Sequence, residues 1–473
     1  MSVCSPIVLN MSFTFIDLFA GIGGFHGALT ALGGECVFAS EIDSDAARVY
    51  LRNWGVKPEG DITNIANESI MKVPPHDVLV GGFPCQPFSK SGKQLGMDET
   101  RGTLFWNIAQ IIKIRKPKLV LLENVRNIAG PRHKHEWEVI ISTLRDLGYR
   151  VSMNPFVVSP HRLHPLKGGT PQSRERVFIC ATLEPKTATK FAIEPGIPDI
   201  ESVTSNWDIK KWKLHRDLPL ESIRSKKLKE NYQLSTQENL WLDAWDDFVV
   251  SFRKTFPTEK LPGFPIWVDS WVPRKNLVLD PKLPDWKRTF LTKNSDFFDT
   301  HKKFLKSWLN TWNDLEGFPQ SRRKFEWQAQ DLPSIAETIV HLRPSGIRCK
   351  PANYAPALVA ITQTSILGKS RRKLTVREAA RLQGFPDWFD FLDQASGQSY
   401  KQLGNAVNIG VVYNVIKAQV LRDIALLEKH DQLIQSILTA PLSPTDHLKS
   451  FTNNSSSAQI TPKTILTVLK NLG

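Results

Sequence analysis

One cysteine in this sequence stands where a reactive group is expected. Cys85 lies between two prolines, in a loop that follows a short apolar strand. Reactive groups concentrate in loops held by a rigid scaffold, whereas a packing cysteine normally lies within an apolar run. A thiol with its ordinary pKa of about 8.5 is a weak nucleophile at neutral pH, so it needs a cation or a backbone dipole nearby. Arg174 and Arg176 are the candidates to supply that charge.

A carboxyl group that could act as a proton donor follows another apolar run. Leu121 and Leu122 lead into Glu123, which a strand would deliver at its carboxyl end. A carboxyl that is partly desolvated there has a raised pKa and can donate a proton near neutral pH. Taken by itself, an acid in this position more often serves as a cap or a salt-bridge partner.

A glycine turn after the first apolar run indicates a nucleoside ligand. The segment Phe15–Phe25 predicts a strand, a turn and the start of a helix, and Gly21 and Gly23 let the backbone approach a ligand closely. Glu41 lies 20 residues after Gly21, a spacing that suits hydrogen bonds to a ribose diol. The dinucleotide fingerprint requires glycine at position 26, where His26 stands, so a pyrophosphate is not indicated. A tight structural turn is the alternative.

These segments require a scaffold that brings strand ends together. Over the first 185 or so residues, β-rich runs alternate with helical patterns, which predicts a parallel α/β sheet with sites at the strands' carboxyl ends. The stretch 206–330 holds 10 of the 14 tryptophans and proline-rich joints, and it predicts a separate domain or long insertion with a tryptophan core. An apolar stripe predicts an amphipathic helix over 411–428, followed by a polar tail that we expect to be partly disordered.

Composition narrows the class of protein. The 473 residues, 41% hydrophobic and 23% charged, fit an ordinary globular chain and exclude a mostly disordered or fibrous one. Lys and Arg number 61 against 47 Asp and Glu, and the net charge of +14 favours a polyanionic partner such as nucleic acid. We expect no membrane span and no secretory signal, because long apolar runs are missing. The five cysteines include no CxxC pair, so we expect no metal site.

Taken in order, these segments resemble the DNA (cytosine-5) methyltransferases of bacterial type II restriction–modification systems. The resemblance covers about residues 1–182 and 371–428. Its motifs are Asp17-Leu-Phe-Ala-Gly-Ile-Gly-Gly, Glu41, Gly60-Asp-Ile, Gly82-Phe-Pro-Cys-Gln-Pro-Phe-Ser, Glu123-Asn-Val, Pro171-Gln-Ser-Arg-Glu-Arg, Leu374-Thr-Val-Arg-Glu-Ala-Ala-Arg-Leu-Gln-Gly-Phe-Pro and Gln402-Leu-Gly-Asn-Ala-Val. The proline–cysteine loop, together with Glu-Asn-Val and Gln-x-Arg-x-Arg, is highly specific.

The resemblance implies a fold and a division of the chain. The fold is α/β: an S-adenosylmethionine-dependent, Rossmann-like catalytic domain with a smaller, irregular target-recognition domain. Residues 1–185 would form the catalytic, cofactor-binding domain and 186–370 the target-recognition domain. Residues 371–430 would return to complete the catalytic domain, and 431–473 would form a C-terminal tail.

The same resemblance implies a mechanism. The Cys85 thiolate would add to C6 of a cytosine flipped out of the duplex, while Glu123 engages N3 and helps to protonate it. C5 would then attack the methyl group of S-adenosylmethionine, and loss of the C5 proton and of Cys85 would restore the ring. Arg174 would contact the base and help to position the adduct, and Arg176 would support the loop. No metal is implied, since the methyl group is already activated.

The contacts of the cofactor are also implied by the resemblance. They are Phe19 stacking on the adenine, Glu41 on the ribose hydroxyls, Asp61 and Ile62 at the adenine edge, Pro84 near the adenine, and Asn405 and Ala406 near the methionine end, with Gly21 and Gly23 in the turn. The implied partner is double-stranded DNA, with a restriction endonuclease paired in function but not in direct contact. We expect a monomer in the bacterial cytoplasm, associated with the nucleoid through DNA.

One stretch of the expected target-recognition domain is strongly basic. From Thr338 to Lys373 there is no acid and there are seven cations: Arg343, Arg348, Lys350, Lys369, Arg371, Arg372 and Lys373. Such a stretch can pair with phosphates, and an arginine in it can read guanine, although any single cation is more often a solvated surface residue. Residues 206–373 carry 11 of the 14 net charges, which predicts a basic recognition wall and salt-sensitive binding.

Three alternatives stay open. An RNA cytosine-5 methyltransferase of the tRNA-modifying branch would use the same chemistry, but the long 186–370 region argues against it. A non-catalytic DNA-binding protein with a retained cofactor fold is disfavoured by intact Cys85, Glu123 and Arg174. A nicotinamide dehydrogenase is disfavoured by His26 and by the lack of residues arranged for hydride transfer.

Overall fold

The computed structural model describes residues 13–84, 100, 103–184, 194–361 and 364–454, without the side chains of 226, 227 and 450–454. The chain divides into two compact units. The first comprises Met1–Trp212, Pro356–Thr362 and Ala379–Gly473, and the second comprises Lys213–Ala355 and Gln363–Glu378. The division differs from the expected one, because residues up to Trp212 belong to the first unit and those from 371 to 378 to the second.

Strands and helices alternate at the start of the chain and mix less regularly later. The strands are β1 (Phe13–Leu18), β2 (Gly34–Ser40), β3 (Val78–Gly82), β4 (Leu119–Val125), β5 (Tyr149–Arg150), β6 (Phe156–Val158), β7 (Gln172–Ser173), β8 (Arg176–Leu183), β9 (Ile266–Trp267), β10 (Lys324–Trp327), β11 (Thr338–Arg343), β12 (Gly346–Pro351), β13 (Ala355–Pro356), β14 (Ile366–Leu367) and β15 (Arg372–Lys373). The helices are α1 (Gly24–Ala31), α2 (Ser44–Trp54), α3 (Leu104–Arg115), α4 (Lys134–Asp146), α5 (Ile200–Thr204), α6 (Leu214–Asp217), α7 (Lys226–Tyr232), α8 (Thr236–Thr255), α9 (Asp285–Thr311), α10 (Val376–Leu382), α11 (Ser396–Asn405), α12 (Ile409–Arg422), α13 (Ile424–Leu427), α14 (Asp431–Thr439) and α15 (Pro444–Asn454). None of the described helices has both the length and the apolar character of a membrane span.

A seven-stranded sheet organises the described part of the first unit. Its order is β2-β1-β3-β4-β8-β5, with β6 also paired to β8. The first four strands run parallel, as the sequence predicts, and their nearly continuous apolar runs suit strands covered on both faces. β8 departs from the prediction, because it pairs antiparallel with β4, β5 and β6. The carboxyl ends of β1 to β4 therefore meet at one edge, where ligands of such sheets bind.

The end of the described chain is part of the first unit's core. The helix predicted over 411–428 is interrupted at Asp423, which separates α12 from α13. α14 and α15 follow, and Leu433, Ile437 and Leu448 are buried. The His447 Nδ1 lies 2.6 Å from the carbonyl oxygen of Ala31, at the end of α1. Residues 431–439 and 444–454 are thus helical, and both helices bury apolar side chains, in contrast to the polar tail that we expect from the sequence.

The second unit has a separate core around a six-stranded sheet in its described residues. The strand order is β15-β14-β11-β12-β10-β9. The long helices α8 and α9 contribute Trp245, Phe248 and Trp308 to a cluster that also contains Phe325 of β10. Stacked rings of Trp245 and Phe325 lie 4.5 Å apart between centroids. The tryptophan-rich stretch therefore builds a core, as predicted, although Trp286 is 58% exposed.

The C-terminal packing yields a stability prediction. Leu448 is 1% exposed and Leu442 is 66% exposed, so the two leucines form a matched pair within one segment. We expect Leu448→Ala to lower the free energy of unfolding by about 2–5 kcal/mol, because it opens a cavity against the core. Leu442→Ala should change it by less than about 0.5 kcal/mol. Urea unfolding followed by circular dichroism measures both, and equal effects would contradict the packing described here.

Candidate active site

The carboxyl ends of β1 to β4 open into one cavity of about 610 Å³ within the first unit. Its lining includes these residues that the sequence singles out: Phe19, Gly21, Glu41, Asp61, Ile62, Pro84, Glu123, Arg174, Arg176, Asn405 and Ala406. The structure thus brings together the predicted site residues that it describes, with the exception of Gly23. Cys85 lies outside the described residues, directly after Pro84.

The glycine turn at the end of β1 is fixed by the predicted ribose-binding acid. Phe19 and Gly21 both have a φ of 55°, so the chain turns through left-handed backbone there. Glu41 accepts hydrogen bonds from the backbone N–H of Gly21 at 2.7 Å and of Asp43 at 2.8 Å. Burial raises the pKa of Glu41, and these two hydrogen bonds oppose the rise. Glu41 therefore shapes the turn as well as the cavity wall.

Gly23 has a packing role instead of the cavity position that we expect from the sequence. Its φ is 88°, and a Cβ atom there would stand 2.1 Å from Nε1 of Trp54. That indole nitrogen donates a hydrogen bond to the carbonyl oxygen of Ile22 at 3.0 Å. Gly23 is required because the Trp54 ring occupies the space beside the turn. Gly23 is not among the residues that line the cavity, and its expected contact with the cofactor stays a prediction.

A buried polar network of Asp17, His26 and Tyr50 lies beneath the turn, and the sequence alone does not predict it. The Tyr50 hydroxyl lies 2.7 Å from Nδ1 of His26 and donates a hydrogen bond to Asp17 Oδ2 at 3.4 Å. Burial lowers the pKa of His26 to about 3, so the imidazole is neutral at pH 7, and burial raises the pKa of Asp17 well above its usual range. The His26 ring stacks on Trp54 at 4.6 Å between centroids. The spacing of Tyr50 and Trp54, one turn apart on α2, is the signal that could have revealed this support.

Glu123 lines the cavity at the end of β4. It is paired in register with Gly82 of β3, and a Cβ on Gly82 would lie 3.2 Å from Glu123 Oε2. Arg176 Nε lies 3.0 Å from Glu123 Oε1. Burial raises the pKa of Glu123, while the charges of Arg176 and then Arg174 oppose that rise. Burial thus favours the protonated carboxyl group, which can donate a proton, whereas the two arginines favour the carboxylate, which forms an ion pair.

The two arginines occupy positions opposite to those implied by the resemblance. The Arg174 guanidinium is buried and donates to the carbonyl oxygens of Leu358 at 2.7 Å, Gly404 at 2.8 Å and Ala406 at 2.9 Å. Burial, followed by the charge of Arg176, lowers the pKa of Arg174 to about 9. Arg174 thus holds the segments that close the cavity.

The side chain of Arg176, and not that of Arg174, contacts Glu123. It stands opposite Val125 in the antiparallel register, a diagonal neighbour of Glu123 within reach of a long side chain. The geometry therefore favours Arg176 as the arginine that contacts Glu123, and Arg174 as the arginine that holds the closing segments, in contrast to the expected assignment. The sequence does not distinguish the two arginines, because both belong to the Gln-x-Arg-x-Arg motif.

The chain is anchored at the end of β3, two residues before Cys85. Asn124 Nδ2 donates a hydrogen bond to the carbonyl oxygen of Phe83 at 2.9 Å. The Phe83 ring is buried and lies 5.8 Å from the Phe105 ring between centroids. The amide of the Glu-Asn-Val motif therefore fixes where the chain leaves β3 and reaches Pro84 at the cavity wall.

The described part of the chain shows no group of three or more histidine, cysteine or carboxylate side chains that could hold a metal ion.

Asp61 uses Oδ1 to accept a hydrogen bond from the backbone N–H of Thr63 at 2.9 Å, which shapes the loop at the cavity rim. Asn405 and Ala406 reach the cavity at the end of α11.

The fold and the site together define the class of protein. The sheet, the glycine turn and the acid at the end of β2 form the Rossmann-like fold of S-adenosylmethionine-dependent methyltransferases, as the sequence predicts. The sequence pattern of C-5 cytosine-specific DNA methylases matches residues 13–420. The chain belongs to this family and methylates C5 of cytosine in DNA, which implies a methyl donor.

Individual relatives agree with this membership. The chain is 45% identical over 492 aligned positions to the type II methyltransferase M.AluI of Cellulosimicrobium cellulans, covering 89% of this chain and 94% of that protein. It is 46% identical over 407 positions to M1.ScrFI of Lactococcus lactis subsp. cremoris, covering 85% and 77%. M.HhaI of Haemophilus parahaemolyticus is 48% identical over 165 positions, 35% of this chain and 47% of its own. The dehydrogenase and non-catalytic alternatives are set aside by the family.

The contrast between the two turn glycines yields a prediction. A Cβ on Gly21 would meet no atom within 4 Å, so Gly21→Ala carries only the left-handed backbone cost of about 1–2 kcal/mol. Gly23→Ala adds a collision with the Trp54 ring and should lower the free energy of unfolding by more than Gly21→Ala. Chemical denaturation measures both variants. The packing role of Gly23 would be refuted by an equal loss in the two.

Proposed function

We propose that the first unit transfers a methyl group from S-adenosylmethionine to C5 of a cytosine that has been rotated out of duplex DNA. The observation that carries this proposal is a single cavity whose wall contains both the glycine turn with Glu41 and the Glu123–Arg176 pair. A donor and an acceptor bound in one cavity are held at reaction distance, which removes much of the entropic cost of bringing them together.

The residues of the cavity suit this methyl donor. Its volume of about 610 Å³ is that of a typical cofactor site. Phe19 offers a ring at the wall, and each carboxylate oxygen of Glu41 has a lone pair left after accepting one backbone N–H, which a ribose hydroxyl can use. S-adenosylmethionine supplies a methyl group already activated on a sulfonium. The chain has only to bind, orient and desolvate it.

We assign the covalent step to Cys85 by the family resemblance. C5 of cytosine is a poor nucleophile while the ring is aromatic. Addition of the thiolate to C6 forms an S–C6 bond, breaks the C5–C6 double bond and makes C5 enamine-like. After methylation, loss of the C5 proton and departure of the thiolate restore the double bond. The anchored position of Phe83 and the place of Pro84 at the cavity wall support this assignment.

Glu123 and Arg176 would act on the polar edge of the same base. Glu123, with a pKa that burial raises, can give its proton to N3 as the adduct forms. Arg176 would orient the carboxyl group and stabilise the charge that remains on it. Because C5 and C6 are stacked within a duplex, the base must leave the helix, at a cost of a few kcal/mol.

We further propose the cellular setting implied by the resemblance. The second unit would recognise the target sequence in duplex DNA, and methylation would protect host DNA from a restriction endonuclease that does not contact this chain. The enzyme would act as a monomer on DNA of the bacterial nucleoid. The names of M.AluI and M1.ScrFI as type II methyltransferases support this setting.

The covalent step is tested by trapping. Cys85→Ser should abolish methyl transfer while largely sparing binding of S-adenosylmethionine. DNA with 5-fluorocytosine in the target should form an adduct with the unaltered enzyme that survives denaturing electrophoresis, because fluorine cannot leave as a proton does.

The trapping experiment has a matched control in Cys180→Ala. It removes a buried thiol whose pKa burial raises to about 12, so the variant should still form the adduct. Near-normal turnover by Cys85→Ser would overturn the covalent role.

The Glu123–Arg176 pair makes a pH prediction. Glu123 acts in its protonated form, so activity should decline as the pH rises through its raised pKa. Arg176→Gln removes a cation that lowers this pKa, and should reduce kcat about a hundredfold while moving the declining limb to higher pH. Arg176→Lys keeps the charge and should keep the limb in place.

An exposed arginine provides the control for the pH profile. Arg48→Gln, on α2, removes a charge whose side chain is 66% exposed and should leave the profile unchanged. The role of Glu123 as proton donor would be contradicted by a shift of the limb to lower pH in Arg176→Gln.

A further inference from the structure

Some of the seven cations of the basic stretch 338–373 are already paired with carboxylates of the second unit. Three of them are neutralised by carboxylates of the second unit: Arg371 lies 3.1 Å from Asp243, Arg372 lies 2.7 Å from Glu378, and Lys373 lies 3.1 Å from Glu238. These ion pairs hold the unit together and leave little net charge for a partner. The simple charge count of the sequence therefore overstates how much of this stretch is available to bind DNA.

Three of the remaining cations share one face of the sheet. In the register of β11 with β12, His341 pairs with Arg348 and Ile339 with Lys350, and β10 places Glu326 opposite Arg348. Since side chains alternate along strands, Arg343 and Lys350 point to the same side as this row. The opposite side carries the residues that enter the core: Phe325, Trp327, Val340, Leu342, Ile347 and Cys349. We call the first side, with Glu326, Ile339, His341, Arg343, Arg348 and Lys350, the outer face, and of these residues Ile339 is buried.

The outer face has an uncompensated positive charge. Glu326 Oε2 accepts a hydrogen bond from Arg348 Nε at 2.7 Å and lies 3.7 Å from an Arg343 nitrogen. Its other oxygen accepts from the side-chain amide of Gln328. No carboxylate of the described residues pairs with Lys350. Arg343 and Arg348 thus share one carboxylate, and Lys350 adds a third positive charge to the same face.

The local electrostatics agree with this count. Burial and then the charges of Lys350, Arg343 and Arg348 lower the pKa of His341 to about 4, so the imidazole is neutral and adds no charge at pH 7. Burial and the charge of Arg348 also lower the pKa of Lys350 and that of Arg343. Mutual repulsion of this kind is relieved when an anion binds.

We propose that the outer face binds the phosphate backbone of duplex DNA through Arg343, Arg348 and Lys350, with Glu326 as a competing internal counter-ion. The proposal rests on the function proposed above, in which the second unit meets DNA. Side chains of Arg343 and Arg348 are 37% and 30% exposed, so they are held by the sheet and still open to a ligand. A phosphate can replace Glu326 on both arginines, since guanidinium groups pair equally well with carboxylate and phosphate.

Glu326 should lower the affinity of the outer face for DNA. In free protein Glu326 satisfies Arg348, and DNA must displace it in order to bind. Glu326 should therefore weaken binding to DNA of any sequence. Tight binding would then be confined to DNA sites that make further contacts with the protein. Removal of the Glu326 carboxylate should therefore increase DNA affinity.

The test is equilibrium binding of the full chain to a duplex of random sequence, over a series of salt concentrations. Lys350→Gln and Arg343→Gln should each weaken binding several-fold and reduce the slope of log K against log salt by about 1. Glu326→Gln should strengthen binding several-fold. Lys373→Gln, which removes a cation of the same stretch already paired with Glu238, should leave the slope unchanged.

The outcomes separate this inference from the proposed function. If the unaltered enzyme methylates DNA but Lys350→Gln and Arg343→Gln keep the normal salt slope, the outer face is not a phosphate site and the inference fails by itself. A fall in affinity for Glu326→Gln would also overturn it. Thermal unfolding and S-adenosylmethionine binding of each variant confirm that the two units remain folded. Failure of the unaltered enzyme to methylate DNA would instead refute the proposed function.

Discussion

The first unit depends on one buried guanidinium group. Arg174 gives hydrogen bonds to the carbonyl oxygens of Leu358, Gly404 and Ala406, which follow it in the chain by 184, 230 and 232 residues. Burial of a cation is costly, and three charge-assisted hydrogen bonds from the two terminal nitrogens offset part of that cost, while Nε is buried without a partner among the described residues. The segments that close the cavity are otherwise distant in sequence from the sheet that opens it. Without these hydrogen bonds, the wall formed by Asn405 and Ala406 would lose three charge-assisted connections between the closing segments and the chain that leads into β8.

The parts of the site that could be predicted are those governed by local sequence and by sheet geometry. Phe19, Glu41 and Glu123 each follow an apolar run, and the carboxyl ends of parallel strands meet at one edge, so their convergence follows from the fold class. The antiparallel entry of β8 could not be predicted from its apolar run, because both strand directions bury the same residues. That direction decides which arginine faces Glu123.

What could not be predicted depends on partners remote in the chain. Arg174 and Arg176 differ only in the acceptors that surround them, and those acceptors lie in other segments. Gly23 has a typical glycine-turn sequence context, yet its requirement comes from Trp54, 31 residues later. His26 appears in the sequence as a mismatch to a dinucleotide fingerprint, whereas in the structure it supports the turn through Tyr50. Likewise, a count of cations says nothing about the carboxylates that neutralise Arg371, Arg372 and Lys373.

The interruption of the first unit by the second has a consequence for biosynthesis. A ribosome must complete residues 213–355 and 363–378 before it makes Asn405 and Ala406, which close the cavity. The nascent chain therefore possesses its entire second unit while the methyl-transfer cavity still lacks a wall. Since domains fold as units during synthesis, the second unit is available to fold first. A chain released prematurely after this point would carry the second unit without a finished catalytic centre.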